Sequence, residues 1–280
     1  MQLISPQSSI PARAVVVPTA TQPRYAQLPL DPGTKTAAHQ AAGGADLAKY
    51  YAPAQGKEGA ALLRALHLIV RTGHVDRGYA QARDEMFSGI DDVNNDNHVE
   101  DIFTGERYGP ITGRKDAFSK GINTEHTWPQ SKGATGIAQS DLHHLRPANV
   151  ITNQMRGSSP YGDVKTPTWT VGEGAMQARL GVDALGTTVF EPAAANKGDI
   201  ARGLLYFYTR YAQSRPGNFT LVNFKHELPT LLRWHKEDPV SDVERMRNDG
   251  VQQAQGNRNP FVDHPEFVDK LQFTELGIDR

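Results

Sequence analysis

Apolar residues recur at helical spacing in several stretches of the chain. Between Lys57 and Thr72 they repeat every three or four positions, which predicts a helix with one buried side. The same spacing predicts four more helices, over residues 78–87, 199–213, 226–235 and 240–251. The helix over 199–213 is expected to be central in the core. Its Arg202 and Arg210 either emerge toward a substrate or face water, and we expect them to face water.

Strand-like runs are shorter than these helices and fewer. Residues 99–103 are predicted to start a strand that leads through 108–113 toward a polar run. Residues 166–190 hold short Thr, Val and Trp runs broken by Gly, which predicts irregular structure with one or two short strands. The pattern therefore predicts an α+β fold that is predominantly helical.

The composition changes near residue 46. Residues 1–45 are rich in Pro, Ala, Thr, Ser and Gln with little periodicity, which is typical of a flexible arm. Residues 46–280 are globular in character, and with 38% hydrophobic residues the chain can bury a substantial core as one large or two small domains, of which we expect the single domain. The chain has no Cys, which excludes disulfides and thiolate catalysis.

No apolar run approaches the roughly 20 residues of a membrane helix. The run Ala14–Val17 is too short and too close to Pro to be the core of a signal peptide. If the native product is exported, its leader has been removed or it leaves by another route.

The charge is distributed unevenly, although the net charge is only -1. Residues 101–165 carry 8 Lys and Arg against 6 Asp and Glu, and residues 197–258 carry 10 against 7. A protein that binds a phosphate backbone needs such basic excess near its site. The excess is small, so it is consistent with nucleic-acid binding without proving it.

The polar run from Asn123 to Gly162 carries the candidate chemistry. Glu125 and His126 are adjacent, so we expect a strand end, where both side chains can serve one centre. A neutral imidazole can take a proton from water. Carboxylate and amide oxygens suit Mg²⁺, which keeps several waters and needs few protein ligands, so Glu125 and Asn153 would suffice.

Three motifs follow one another in this run, and together they indicate a family. They are Asn-x-Glu-His-x-Trp-Pro-x-Ser, Ser-Asp-Leu-His-x-Leu-x-Pro and Asn-x-x-Arg-Gly. In this order they resemble the bacterial endonuclease I family, secreted and periplasmic nucleases of the ββα-metal, or His-Me finger, superfamily. The resemblance covers about residues 48 to 270 and includes further segments at 50–56, 101–105, 197–211 and 231–265.

The resemblance implies an activity and a site. It implies an endonuclease that hydrolyses DNA, and RNA as well, with His126 as general base. It implies that Glu125 and Asn153 hold one Mg²⁺, for which Mn²⁺ or Ca²⁺ can substitute, within a finger at about residues 106–162. Low sequence preference is expected because phosphate contacts carry no direct sequence information. An extracellular or periplasmic location is also implied; no protein partner is indicated.

Three further residues receive weaker predictions. Arg156 lies one helical turn after Asn153 and is expected to bind a phosphate in catalysis, unless it is an ordinary surface Arg. His143 matches a family histidine that either orients the site or packs beneath it. Arg258 is a candidate phosphate contact, in a loop whose Asn residues are expected to be structural.

Two other classes of protein remain as alternatives. A nucleic-acid-binding module without catalysis would keep the basic surface, but the Glu-His and Asn positions argue against it. A structural metal protein would use the His cluster for zinc, but Cys is absent and the adjacent His143 and His144 diverge in most backbones.

Overall fold

The computed structural model of the chain describes residues 44–273, so the predicted flexible arm at 1–45 lies almost entirely outside the described residues. The α-helices are, in chain order, α1 (Gly44–Tyr50), α2 (Gly59–Arg71), α3 (Tyr79–Glu85), α4 (Arg114–Ser119), α5 (Val150–Arg156), α6 (Lys197–Tyr211), α7 (Val222–Glu237), α8 (Asp242–Gln255), α9 (Pro260–Asp263) and α10 (Phe267–Leu271).

The strongly periodic stretches are helices, as predicted, with ends displaced by a few residues. A π-helical turn at Met86–Ile90 continues α3, and α7 begins four residues before its predicted start. Asn149 caps α5, its side chain accepting hydrogen bonds from the backbone N–H groups of Ile151 and Thr152 at 2.9 and 3.1 Å. Among residues 44–273, no helix is both long and apolar enough to cross a membrane.

The strands form small antiparallel sheets. They are β1 (Val99–Glu100), β2 (Arg107–Tyr108), β3 (Ile122–His126), β4 (Leu145–Asn149), β5 (Thr166–Val171), β6 (Ala178–Val182) and β7 (Thr188–Glu191). β1 pairs with β2, β3 with β4, and β6 lies between β5 and β7. The strand predicted at 99–103 is shorter than expected, and 166–190 contains two whole strands and the start of a third. The chain therefore combines predominant helices with small antiparallel sheets.

The main hydrophobic cluster surrounds α6, and nearly every residue of that helix is buried. Trp128, just after β3, stacks on Phe207 of α6 at 4.7 Å between ring centroids. This contact joins the polar run to the core.

The prediction that Arg202 and Arg210 face water is wrong, because the two side chains are 0% and 6% exposed. Arg202 forms a two-bond ion pair with the buried Glu244 of α8, at 2.7 and 2.6 Å. Its charge is therefore neutralised inside the protein rather than by solvent.

The order β3, β4, α5 positions the candidate site. In the β3–β4 pair Glu125 lies opposite Arg146, and His126 lies opposite Leu145. α5 follows β4 without a loop, and the backbone N–H of Val150 donates to the carbonyl of Gly121 just before β3. The helix is thereby held against the strand that carries the Glu-His pair.

Candidate active site

Glu125 lies at the end of β3 and is 3% exposed. Its Oε1 accepts hydrogen bonds from Nη1 of Arg156 at 2.7 Å and from the hydroxyl of Tyr161 at 3.1 Å. Burial raises the pKa of the Glu125 carboxyl to about 7, although the Arg156 charge and the Tyr161 hydrogen bond act in the opposite direction. Two donors on one oxygen fix the orientation of this carboxyl group.

His126 follows as the last residue of β3 and is 6% exposed. Its Nε2 is 3.1 Å from the carbonyl oxygen of Gln139, and its Nδ1 is 3.4 Å from the side-chain nitrogen of Gln130. A carbonyl can only accept, so Nε2 carries the proton and Nδ1 keeps its lone pair. Burial above all, and then the charges of His144 and Arg83, lower the pKa of His126 to about 3. The imidazole is therefore a neutral acceptor at Nδ1.

Asn153 of α5 lies beside the same strand. Its side-chain nitrogen donates to Oδ1 of Asn123 at 2.8 Å and to the carbonyl of Thr124 at 3.3 Å. With the nitrogen held on β3, Oδ1 is the remaining acceptor of the amide.

Glu125 and Asn153 carry oxygen donors of the kind that a hard divalent cation takes. Carboxylate and amide oxygens are the ligands that Mg²⁺ takes, and it completes its shell with water. Within residues 44–273, no group of three or more His, Cys, Asp or Glu side chains is arranged to hold a metal ion. A cation here would therefore depend on these two oxygen donors and on water.

Arg156 lies inside the protein and is 1% exposed. Besides Glu125, its guanidinium donates to the carbonyls of His126 at 3.2 Å and Thr127 at 2.9 Å, and it lies over the Tyr161 ring at 4.4 Å. The structure thus places Arg156 beneath the end of β3, where it holds the backbone and Glu125, and not on the helix surface where a phosphate would reach it.

His143 is buried, at 3% exposure. Its Nε2 is 3.1 Å from the carbonyl oxygen of Asn257, and its ring packs against Tyr206 at 4.4 Å. The carboxylate of Asp141 accepts a hydrogen bond from the backbone N–H of His143 and another from the Tyr206 hydroxyl, at 3.0 and 2.8 Å. Of the two positions considered for His143, the structure has the packed one.

Arg258 is also buried, at 4% exposure. It binds both carboxylate oxygens of Asp263 at 2.7 Å and Oδ1 of Asp249 at 2.6 Å. The structure places it in an ion-pair network between α8 and α9, and it has no contact with Glu125 or His126 among its hydrogen bonds and ion pairs in the described chain.

Tyr79 and Arg83 also border the site, which could not be predicted from the sequence. The ring of Tyr79 lies 5.3 Å from the ring of His126, and the Arg83 guanidinium lies 4.0 Å above the Tyr79 ring. Their spacing of four places both on one face of the predicted helix, but only the packing of α3 shows what that face contacts. The contact of Tyr161 with Glu125 could not be predicted either, because only the tertiary packing brings the two residues together.

Comparisons with known proteins show which family the chain resembles. A model of the endonuclease I family matches residues 63–266. The chain is 34% identical over 242 residues to an extracellular ribonuclease of Bacillus amyloliquefaciens and 33% identical to one of Bacillus subtilis (strain 168), each match covering 81% of this chain and 79% of the relative. It is 32% identical over 124 residues to Endonuclease-1 of Buchnera aphidicola subsp. Baizongia pistaciae, which covers 44% of this chain and 46% of that protein.

The matched region contains every residue of the site, from Tyr79 to Tyr161. Because the match spans well over half of the chain, this protein belongs to the endonuclease I family of nucleases.

Proposed function

We propose that this nuclease cleaves phosphodiester bonds by metal-dependent hydrolysis, with His126 as general base and little sequence preference. The observation that carries the proposal is that Glu125 and His126 occupy the last two positions of β3 and that the side chain of Asn153 is hydrogen-bonded beside them. The side-chain nitrogen of Asn153, in α5, donates a hydrogen bond to the backbone carbonyl of Thr124, the residue before them. The order strand, strand, helix also supports a ββα-metal finger within about residues 106–162.

Nδ1 of His126 would take a proton from the attacking water. Gln139 holds the opposite ring nitrogen, so Nδ1 keeps its lone pair, and the attacking water would take the place of the Gln130 side-chain nitrogen that lies 3.4 Å from Nδ1. Glu125 and Asn153 would hold Mg²⁺, which when bound neutralises charge that develops on the phosphate oxygens. Arg156 and Tyr161 keep the Glu125 carboxyl in place. The water oxygen bonds to phosphorus, the bond to the leaving oxygen breaks, and that oxygen takes a proton from solvent.

RNA and DNA are both proposed substrates. The relatives with the longest matches reported above are named ribonucleases, which supports RNA, while the third is named an endonuclease. The residues of the site would contact phosphate, water and a cation, and such contacts do not discriminate between bases. The word extracellular in the names of two relatives supports an extracellular or periplasmic location.

Digestion of single-stranded RNA, single-stranded DNA and plasmid, with Mg²⁺ and with EDTA, tests the proposal. We expect cleavage only with the metal. His126→Ala should reduce cleavage by at least about 100-fold, the contribution of a general base. His98→Ala, a change at a partly exposed histidine outside the site, serves as the control. Cleavage that persists in His126→Ala would remove this residue as the base.

The two cation ligands need a separate test. Glu125→Ala and Asn153→Ala should bind the metal more weakly, so excess Mg²⁺ or Mn²⁺ should restore part of their activity. Activity in these variants that does not respond to metal concentration would contradict the assignment. A protein that binds nucleic acid but leaves every substrate intact would instead be a binding module.

A further inference from the structure

The two arginines predicted to contact phosphate are both engaged inside the protein. Arg156 is paired with Glu125, and Arg258 is paired with Asp263 and Asp249. A phosphate that arrives beside His126 would therefore meet neither guanidinium. If the proposed nuclease function holds, the cation that receives this phosphate must lie elsewhere, and the wall of the site formed by α3 supplies one.

Arg83 differs from the other charged residues at the end of α3. Its neighbour Asp84 is bound by Arg114, and Glu85 is bound by Arg77 at 2.6 Å. Arg83 itself donates from Nε to the carbonyl of Tyr79, at 3.3 Å, one turn earlier in the helix. Within the part of the chain that the structure describes, none of the ion pairs includes Arg83. Its positive charge is thus not neutralised by a carboxylate, although its side chain is only partly exposed.

The position of Arg83 is defined by Tyr79. The guanidinium carbon lies 4.0 Å from the centre of the Tyr79 ring, and the same ring lies 5.3 Å from that of His126. A guanidinium held on an aromatic face loses little freedom when it binds a ligand, and its planar fork matches two phosphate oxygens. The side chain is therefore both oriented and close to the base.

We propose that Arg83 binds a phosphate of the nucleic-acid strand next to His126 and that Tyr79 is the residue that positions it. This inference rests on the proposed nuclease function and adds a substrate-binding residue to it. The phosphate would lie between the α3 wall and the end of β3. Both RNA and DNA present this group, so the contact would serve either strand.

The test measures binding separately from cleavage. Fluorescence anisotropy of labelled single-stranded RNA and DNA, in EDTA, gives the Kd of each variant over a range of salt concentrations. Arg83→Ala should weaken binding roughly tenfold or more, as expected for the loss of a charge-assisted hydrogen-bond pair. The slope of log Kd against log salt should fall by about one, because one phosphate contact fewer is made.

Two further variants make the result specific. Arg83→Lys keeps the charge, so it should restore the salt slope while recovering only part of the affinity. Arg64→Ala removes an exposed arginine of α2 and should leave both quantities unchanged. Thermal unfolding of each variant confirms that it is folded, and kcat/KM with Mg²⁺ should follow the order of the affinities.

The possible failures are distinguishable. If the unmodified protein binds and cleaves nucleic acid while Arg83→Ala has the same Kd and the same salt slope, the assignment of Arg83 is wrong and the nuclease function stands. If Arg83→Ala and Arg64→Ala weaken binding equally, the effect is general charge, and the assignment is also wrong. If the unmodified protein neither binds nor cleaves, the proposed function fails and the inference fails with it.

Discussion

At the scale of single residues, the ion pair of Arg156 and Glu125 holds a candidate site residue inside the protein. The two side chains are 1% and 3% exposed, and the guanidinium also binds two backbone carbonyls. Removing one partner of a buried ion pair leaves an uncompensated charge. We therefore expect Arg156→Leu to lower the free energy of unfolding by roughly 3–5 kcal/mol, as measured by urea denaturation. A loss of activity with a stability change no larger than that of Arg64→Ala would indicate a phosphate-binding role instead.

His144 gives a pH-dependent prediction at the same scale. The ring is fully buried, Nε2 donates to the carbonyl of Ala138 at 2.6 Å, and burial lowers the pKa of the imidazole to about 4. The unfolded chain, with an ordinary pKa near 6.5, takes up this proton first. The stability that a neutral His144 provides is therefore present above about pH 6.5 and is lost as the pH falls toward 4.

The variant His144→Gln isolates this contribution. It should be less stable than the unmodified protein at pH 7.5, and the difference should shrink by about 1.4 kcal/mol per pH unit between pH 6.5 and about 4. Urea denaturation at several pH values measures the difference. A difference that stays constant over that range would show that His144 does not titrate as described.

Part of the site could be predicted from the sequence because its residues share one short run. Glu125 and His126 end one strand, and Asn153 lies in the helix that follows the paired strand, where its side chain is hydrogen-bonded to the carbonyl of Thr124. The burial of the arginines could not be predicted in this way. Arg156 finds its carboxylate 31 positions earlier in the chain, and only tertiary packing decides whether it turns inward to that carboxylate or outward to solvent.

At the scale of elements, the start of α8 depends on a capping box. The hydroxyl of Ser241 accepts a hydrogen bond from the backbone N–H of Glu244 at 3.1 Å, and the Glu244 carboxylate accepts one from the backbone N–H of Ser241 at 3.2 Å. Ser241→Ala should cost about 1 kcal/mol of unfolding free energy. Glu244→Ala should cost several times more, roughly 3–5 kcal/mol of unfolding free energy, because it also removes the carboxylate that pairs with the buried Arg202.

Chemical denaturation of both variants tests this order. Ser88→Ala is the matched control, since Ser88 is exposed and its hydroxyl only donates back to the carbonyl of Asp84 within the helix. Equal losses for Ser241→Ala and Glu244→Ala would mean that the contact with Arg202 adds nothing to the cap.

Helices were predicted more accurately than strands for a physical reason. A long amphipathic repeat identifies a helix such as α2 or α6, whatever its neighbours are. The strands β5, β6 and β7 are short, and β5 is mostly exposed, so their pattern is weak. Gly181 reads as a break in the sequence, yet it lies inside β6, where a Cβ would come within 2.3 Å of the carbonyl oxygen of Thr166. The glycine is there to permit close approach of the paired strand.

At the scale of the whole molecule, residues 44–273 are held together by two hydrophobic clusters. One surrounds α6, and the other joins the π-helical turn to α4, β3 and β4 through Phe87, Ala117, Ile122 and Leu145. Neither cluster contains Glu125 or Asn153. Because this apolar packing does not use either proposed ligand, we expect the proposed cation to bind an already folded protein, unlike the metal of a small zinc domain.

This separation predicts how the protein responds to metal removal. EDTA should abolish cleavage while the far-ultraviolet circular dichroism and the Tm measured in EDTA remain those of a folded protein. Mg²⁺ at ten times its Kd should add about 1.4 kcal/mol of stability, because it binds only the folded state. In Asn153→Ala the same Mg²⁺ concentration should add less, because one oxygen ligand is lost. Unfolding on chelation would contradict this view and would favour a structural metal protein.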